Sequence, residues 1–515
     1  MRGAAAAGPQ AFFRFFGRSQ IRRGNGQHIP IRTVSRNSKS RSSSALSLPV
    51  ILCLFDPVLL TNLTRANEIG ANSYFLDFGR DGRVVLDAGM HPRVDGRAGL
   101  PDFSPLDGRT VNAIFVSHAH HDHIGALPVL MRAQPKARVF MSEPTYFLGD
   151  PLLHNSVQIM MKQRTELGLS EYPFFTHTEL DQFTQVWQAC GLEREWSLQG
   201  YPQPDKDEPL TFTFYDAGHI LGSVGIELVH RGRKIFYTGD VNFADQTLVQ
   251  KANFPTEKID TLLIETTRGA QPKPEGFSRE NEVERLVNGI LETFDRGGAV
   301  LIPVFAMGKT QEALALLHFL QRQGRLPTTP IYIGGLGRNF SSVYDRLSGR
   351  SRRLHANLQL LEDIRPQVMD GRIARSLKPK RGHIYLISSG MMTEKTLSNV
   401  FAQHFLPREN HSIFFIGYCD PDSPAGRLRA TAHGHKVTLG PETGEQPVLC
   451  RVDHFDMTAH AQREDLLNYI LRVDPRVCVL VHGDPPALDW FQQRLSTERP
   501  KMKVVIPAPA QAVEI

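Results

Sequence analysis

Four side chains able to bind a metal stand within six residues of this chain: His118, His120, Asp122 and His123. They follow the apolar segment 111–116, so a strand delivers them to a loop. Imidazole and carboxylate together suit zinc, and less often manganese or iron. His118 and His120 alternate along an extended backbone, so both can face one metal. Asp122 and His123 lie just past them, where a turn lets them face a second. A lone histidine is more often a packed or surface residue, but four donors in one short run are poorly explained that way. A two-metal site still needs ligands from elsewhere in the chain.

Candidates are present. His219 sits in Asp216-Ala217-Gly218-His219-Ile220-Leu221-Gly222-Ser223, a glycine-bounded loop after the strand-like segment 210–215. A hairpin is expected next, with arms 224–230 and 234–237 joined by Arg231-Gly232 and ending at Thr238-Gly239-Asp240. Far along, Asp456-Met457-Thr458-Ala459-His460 is expected to open a helix, since Leu466, Leu467, Ile470 and Leu471 have helical spacing. Upstream, the strand-like segment 83–86 ends at Asp87, after the turn signal Asp81-Gly82.

These ordered motifs resemble the metallo-β-lactamase superfamily over nearly all of residues 58–490. The resemblance implies an α/β fold, a four-layer αββα sandwich holding two zinc ions per chain. It places His118, His120 and His219 on the first zinc, Asp122, His123 and His460 on the second, and Asp240 between them. Asp87 is then expected behind a ligand imidazole, accepting its hydrogen bond and fixing its tautomer. His482, in Val481-His482-Gly483-Asp484, is a further candidate ligand, but because His460 fills the remaining ligand position it is expected instead to lie behind the ligands or to support the terminal loop. Two metals about 3.5–4 Å apart can hold a hydroxide at neutral pH and neutralise the oxygens of the group attacked. Such a centre hydrolyses phosphodiesters, thioesters or lactams. The cluster thus gives hydrolysis and leaves the substrate open.

About 220 residues separate Asp240 from His460, so a large unit is inserted. Strand-like segments 259–264, 299–305, 330–333, 384–387 and 413–416 are interleaved with helical patterns at 282–294 and 309–323. Alternation of this kind argues a parallel sheet with helices on its faces. The segments 298–308, 387–392 and 416–419 resemble the β-CASP domain. That resemblance implies a cap at 269–418 threaded into a sandwich formed by 56–268 and 419–515. Families with this pair of domains act on nucleic acids. The implied activity is zinc-dependent hydrolysis of single-stranded RNA, with Asp122, Glu265 and Asp87 in the catalytic set. Ser388, Ser389, Gly390 and Arg427 are the implied substrate contacts.

One family position departs from the pattern. Glu265 matches an acidic residue whose usual partner is a histidine a few residues after Gly417-Tyr418-Cys419, thought to protonate the leaving oxygen. Here that place falls at Arg427 to Arg429, with no histidine. His433 and His435 follow nearby, and an arginine there could stabilise charge on a phosphate. A missing general acid costs about 10²–10⁴-fold. The alternative this favours is hydrolysis of a different, small-molecule ester. A non-catalytic binding subunit would be expected to have lost metal ligands, and this chain keeps them.

The chain carries +6 at neutral pH, but residues 1–55 hold nine basic residues and no acidic one. The remainder is therefore slightly acidic, and net charge does not argue for RNA. Local basic runs remain at Arg346, Arg350, Arg352 and Arg353, and at Lys378, Lys380 and Arg381. Residues 1–55 cannot build a core and are expected to be disordered; an organellar transit peptide or a start codon placed too far upstream are the other readings. No membrane span is expected. Five scattered cysteines (Cys53, Cys190, Cys419, Cys450, Cys478) form no framework and fit a reducing compartment, the cytoplasm or an organelle. A homodimer stays open.

Overall fold

Short apolar strands from both ends of the chain pair into two seven-stranded sheets. They are seen in a computed structural model that describes residues 57–440 and 444–515. The basic segment 1–55, with Cys53, lies outside the described residues. The first sheet runs in the order Ala512–Glu514, Leu59–Asn62, Tyr74–Asp77, Arg83–Leu86, Ala113–Phe115, Arg138–Ser142, Trp187–Cys190. The second runs Lys503–Val505, Val477–Val481, Thr261–Glu265, Arg233–Tyr237, Val224–His230, Leu210–Asp216, Glu195–Ser197. Alternate side chains of the two sheets meet in one core, where Phe115 and Phe140 pack on Phe212 at ring separations of 4.7 and 4.8 Å. Each aromatic fully withdrawn from water there contributes about 1.5–3 kcal/mol.

The outer faces are apolar too and need covers. Leu127, Leu130, Leu153 and Val157, from helices Leu127–Ala133 and Glu143–Leu167, cover the first sheet. Leu466 and Ile470 of Arg463–Val473, with Leu488 and Phe491 of Pro485–Glu498, cover the second. The expected αββα layering results. The expected hairpin is present, and Arg231 (φ 50°) with Gly232 (φ 83°) supplies the two positive φ values that its two-residue turn requires.

The insert is a separate six-stranded parallel sheet. Its order is Gln367–Met369, Ile331–Gly334, Ile384–Ile387, Val300–Pro303, Ser412–Phe415, Arg451–His454. Helices Arg279–Asp295, Lys309–Arg322 and Gly335–Arg346 cover one face, and Leu397–Ala402 with Phe405 covers the other. Ser278 caps the first of these helices by accepting the amide of Asn281 at 3.1 Å, three residues before the helix expected from periodicity alone. The strand expected over 299–305 stops at Pro303, and the chain then turns through Gly308 (φ 81°) into the next helix. The last strand of this sheet, Arg451–His454, lies beyond residue 418, so the chain adds it before returning to the sandwich. The helix expected to open at His460 begins only at Arg463, which leaves residues 455–462 as a loop.

The insert and the sandwich are tied by charge. The amides of Thr247, Leu248 and Val249 donate to the Glu312 carboxylate at 2.6, 3.0 and 2.9 Å. Arg268 donates to both oxygens of Asp456 at 2.7 Å, and Arg93 pairs with Asp420. The free cysteines Cys190, Cys419, Cys450 and Cys478 are all buried. No described helix is long and apolar enough to cross a membrane.

The Glu312 clamp has a measurable consequence. Glu312→Ala strands buried donors and is expected to cost about 2–3 kcal/mol. Glu284→Ala removes only an exposed pair with Arg325 and is expected to cost at most about 1 kcal/mol. Thermal unfolding midpoints compare the two; equal shifts would contradict the clamp.

Candidate metal centre

The centre lies where parallel strands of both sheets end. Arg83–Leu86 and Ala113–Phe115 run parallel in the first sheet and deliver Asp87 and the histidine run. Arg233–Tyr237, Thr261–Glu265 and Val477–Val481 run parallel in the second and deliver Asp240, Glu265 and His482. Asp87 (φ 59°) and His482 (φ 47°) both turn in the left-handed region just past a strand end, a conformation that recurs at functional sites.

The histidine run splits as its spacing suggests. His118 and His120 lie on extended chain, whereas Asp122 and His123 sit in the one-turn helix His121–Ile124. The turn is set against a glycine: a Cβ on Gly89 would stand 1.7 Å from the Asp122 carbonyl oxygen. The loop carrying His219 is built on Ser223, whose Oγ accepts the His219 amide at 3.0 Å. It also needs Gly218 (φ 70°), where a Cβ would meet the Asn242 carbonyl oxygen at 2.6 Å.

Two groups of donors result. In the first, His120 Nδ1 lies 3.1 Å from His118 Nε2 and 3.0 Å from His219 Nε2, while Asp240 Oδ2 is 3.6 Å from both of those Nε2 atoms. In the second, Asp240 Oδ1 is 3.3 Å from both His123 Nε2 and His482 Nε2. Asp122 Oδ2 completes this group at 3.7 Å from His123 Nε2 and 3.9 Å from His482 Nε2. One buried carboxylate therefore presents one oxygen to each group.

His460 is not where the sequence reading put it. It was expected beside Asp122 and His123; the structure puts His482 there. His460 instead points Nδ1 at both oxygens of Glu265, 3.1 Å from each, with Nε2 3.9 Å from Asp240 Oδ2. The reason is strand pairing. Val481 stands opposite Glu265 in the parallel ladder, so the residue after Val481 emerges beside the centre. The signal was present in the sequence as a buried-type strand followed by His-Gly-Asp, but which strand it would pair with was not readable. Glu265, for which the sequence offered no histidine partner after residue 419, thus has the His460 ring against it. His433 and His435 are exposed, as is Arg427, whose guanidinium donates to the Asp422 carbonyl at 2.7 Å. Ser388, Ser389 and Gly390 form the loop after Ile384–Ile387, with Ser389 Oγ accepting the Thr393 amide at 3.1 Å. They and Arg427 lie outside the histidine–carboxylate cluster.

The ring orientations are fixed from behind. Asp87 is fully buried; it takes His123 Nδ1 at 2.7 Å, the Ser117 amide at 2.7 Å, Ser117 Oγ at 2.8 Å and the Tyr237 hydroxyl at 2.7 Å. His219 Nδ1 lies 2.9 Å from the Ala459 carbonyl oxygen, which leaves Nε2 as the lone-pair nitrogen. Burial, aided by neighbouring imidazoles, holds His118 and His219 well below the usual histidine range, and burial brings His120 to about 4. All three are neutral near pH 7, the form that binds metal. Burial also disfavours charge on His123, but Asp240, Asp122 and Asp87 overcome it and hold this ring well above its usual value. Asp240 is held well below the carboxylate range, against burial, by His123, His482 and His460.

This donor set fits divalent metal. Asp240 Oδ1, which faces the second group, is buried with no hydrogen-bond partner. Nitrogens 3.0–3.1 Å apart are close to the roughly 3.3 Å edge of a tetrahedron of zinc–nitrogen bonds. The arginines of the run 346–353 are engaged elsewhere. Arg353 is buried against the Tyr344 and Leu358 carbonyls, Arg350 pairs with Glu143, Arg352 bonds Gln250 at 2.9 Å, and Arg346 lies over the Phe147 ring.

Comparison with known proteins agrees with this architecture. Residues 66–256 match the metallo-beta-lactamase superfamily, residues 310–428 the Beta-Casp domain, and residues 445–507 a Zn-dependent metallo-hydrolase RNA specificity domain. The chain is similar to the endoribonuclease ysh1 of Emericella nidulans, at 28% identity over 87% of this chain and 54% of that one. It is similar to cleavage and polyadenylation specificity factor 73 of Drosophila melanogaster, at 26% identity over 86% of this chain and 62% of that one. The chain thus spans little more than half the length of these relatives. A crystal structure of a protein of unknown function from Enterococcus faecalis shares the fold, with TM-score 0.52 and 14% identity over 89% of this chain and 100% of that one. The chain thus carries a metallo-β-lactamase segment and, after it, a Beta-Casp segment, in the order that the sequence resemblance implied.

Proposed function

We propose that this protein is a zinc-dependent phosphodiesterase that cuts single-stranded RNA at a centre for two metal ions. The observation that carries the reading is His460, held by Glu265 beside Asp240. His118, His120, His219 and Asp240 Oδ2 would hold one ion, and Asp122, His123, His482 and Asp240 Oδ1 the other. Two divalent cations there supply a lowered water pKa and neutralise charge on a phosphate.

The chain's own groups do the rest. Asp87 and the Ala459 carbonyl hold His123 and His219 in the tautomers that turn Nε2 inward. Burial opposes charge on His460, but Glu265 and then Asp240 raise its pKa above the usual histidine value. With Nδ1 bound to Glu265, the proton on Nε2 is the one free to pass to a leaving oxygen. The Val241 amide donates to Glu265 at 2.6 Å and fixes the carboxylate that orients this ring. RNA as substrate is supported by the relatives' names and by the RNA-specificity match, whose span includes both His460 and His482. The small-molecule ester reading rested on a missing partner for Glu265, and His460 occupies that place.

Purified protein with added zinc is expected to cleave a labelled single-stranded RNA, and Asp122→Ala to reduce cleavage to background. No cleavage by zinc-loaded wild type would remove the RNA reading. His460→Ala is expected to lower kcat about 10²–10⁴-fold with zinc content unchanged, whereas loss of one zinc would make His460 a ligand. The pH profile tests the pair. Activity that needs the proton on His460 is present below its raised pKa and falls as pH rises through it. Glu265→Gln removes the leading partner that raises it, so the falling limb moves to lower pH; a limb that stays in place contradicts the assignment.

A further inference from the structure

The parallel sheet of the insert has a switch in strand order, where the chain leaves two adjacent strands toward opposite edges. From Val300–Pro303 the chain runs through helix Lys309–Arg322 to Ile331–Gly334 on one side of the sheet. From the adjacent strand Ser412–Phe415 it runs through helix Pro424–Ala430 to Arg451–His454 on the other. In open parallel sheets the crevice at the carboxyl ends of two such strands is where ligands bind. Here that crevice is a shallow recess lined by Val304, Phe305, Lys309, Gly390, Gly417 and Tyr418 among others.

Its two rims each carry an aromatic ring left partly open. Phe305 and Tyr418 are both 38% exposed, while their neighbours Val304 and Ile416 are buried. Gly390 and Gly417 carry no side chain here, and the Phe305 ring rests on Gly390, where a Cβ would stand 3.2 Å from it. The recess also faces the reacting groups. Gly308 packs on Ile220, next to His219. Lys309 donates to the carbonyl of Met457, three residues before His460. Tyr418 lies within electrostatic reach of Asp484, two residues past His482.

We infer that this recess receives one nucleobase of the strand being cut, stacked against Phe305 and Tyr418, and so sets where the strand lies over the centre. The inference rests on the RNA reading above. It supplies what the slightly acidic body does not, since stacking holds a single strand through the faces of its bases, whatever their sequence.

The test uses the zinc-loaded full chain and a short, labelled, 2′-O-methylated single strand whose bases are removed one position at a time. Phe305→Ala and Tyr418→Ala are each expected to weaken binding about tenfold, as loss of one base–aromatic stack does. Phe305→Tyr and Tyr418→Phe keep a ring and are expected to restore it, with zinc content and unfolding midpoint unchanged throughout. One abasic position is expected to weaken wild type alike and to abolish the difference between wild type and the alanine variants. Alanine variants that bind the complete strand as wild type does would overturn the inference. Titration with uridine 5′-monophosphate separates the two readings. If wild type neither cuts nor binds RNA but takes up the nucleotide through these two rings, the RNA reading falls and the recess stands. If neither strand nor nucleotide depends on the rings, the recess falls whatever the nuclease does.

Discussion

Asp240 is a buried carboxylate with an imidazole group on either side. An isolated ionised carboxylate in such a place costs far more than the few kcal/mol by which a fold is stable. It is tolerated because each oxygen faces its own set of ring nitrogens, 3.6 Å away on one side and 3.3 Å on the other. Those rings come from both sheets: His118 and His123 after the first, His219 and His482 after strands of the second. The sheets must therefore pack in one register, with their strand ends level, before Asp240 has partners. The Phe115–Phe140–Phe212 core is what sets that register. Packing between the sheets and charge at their edge depend on each other.

The insert enters this arrangement as a supplier of backbone as well as a cover. The loop leaving its last strand, residues 455–462, carries the Ala459 carbonyl that orients His219 and the ring of His460 itself. Asp456, at the start of that loop, is gripped by Arg268, three residues past Glu265. Glu265 and His460, far apart in sequence, are thus held by a fork of two hydrogen bonds set just behind them. A cap that shifted as a body would move His460 relative to Asp240 and the histidines around it. Cap position and the geometry of the cluster are coupled through this loop.

Much of this was legible in the sequence. The run His118 to His123, the hairpin to Asp240 and the strand ending at Asp87 are local patterns, and the structure places each near the expected position. The alternation of strand and helix in the insert is local too. His460 and His482 were harder. Both follow apolar segments, and both offer an imidazole. Which one joins Asp122 depends on Val477–Val481 entering the second sheet beside Thr261–Glu265, across more than two hundred residues of chain. Hydrophobic periodicity reports that a strand is buried, not which neighbour it takes. The same limit hid Arg451–His454 as the sixth strand of the insert, and hid the partners that the arginines of the run 346–353 find on other elements.

The most direct measurement is anomalous diffraction at the zinc edge from crystals of the zinc-loaded protein. The account predicts two peaks flanking Asp240. One lies within bonding distance of His118, His120 and His219, the other of Asp122, His123 and His482, with His460 bound to Glu265 and to neither ion. A single peak, or a second ion bonded to His460 with His482 turned away, would contradict it.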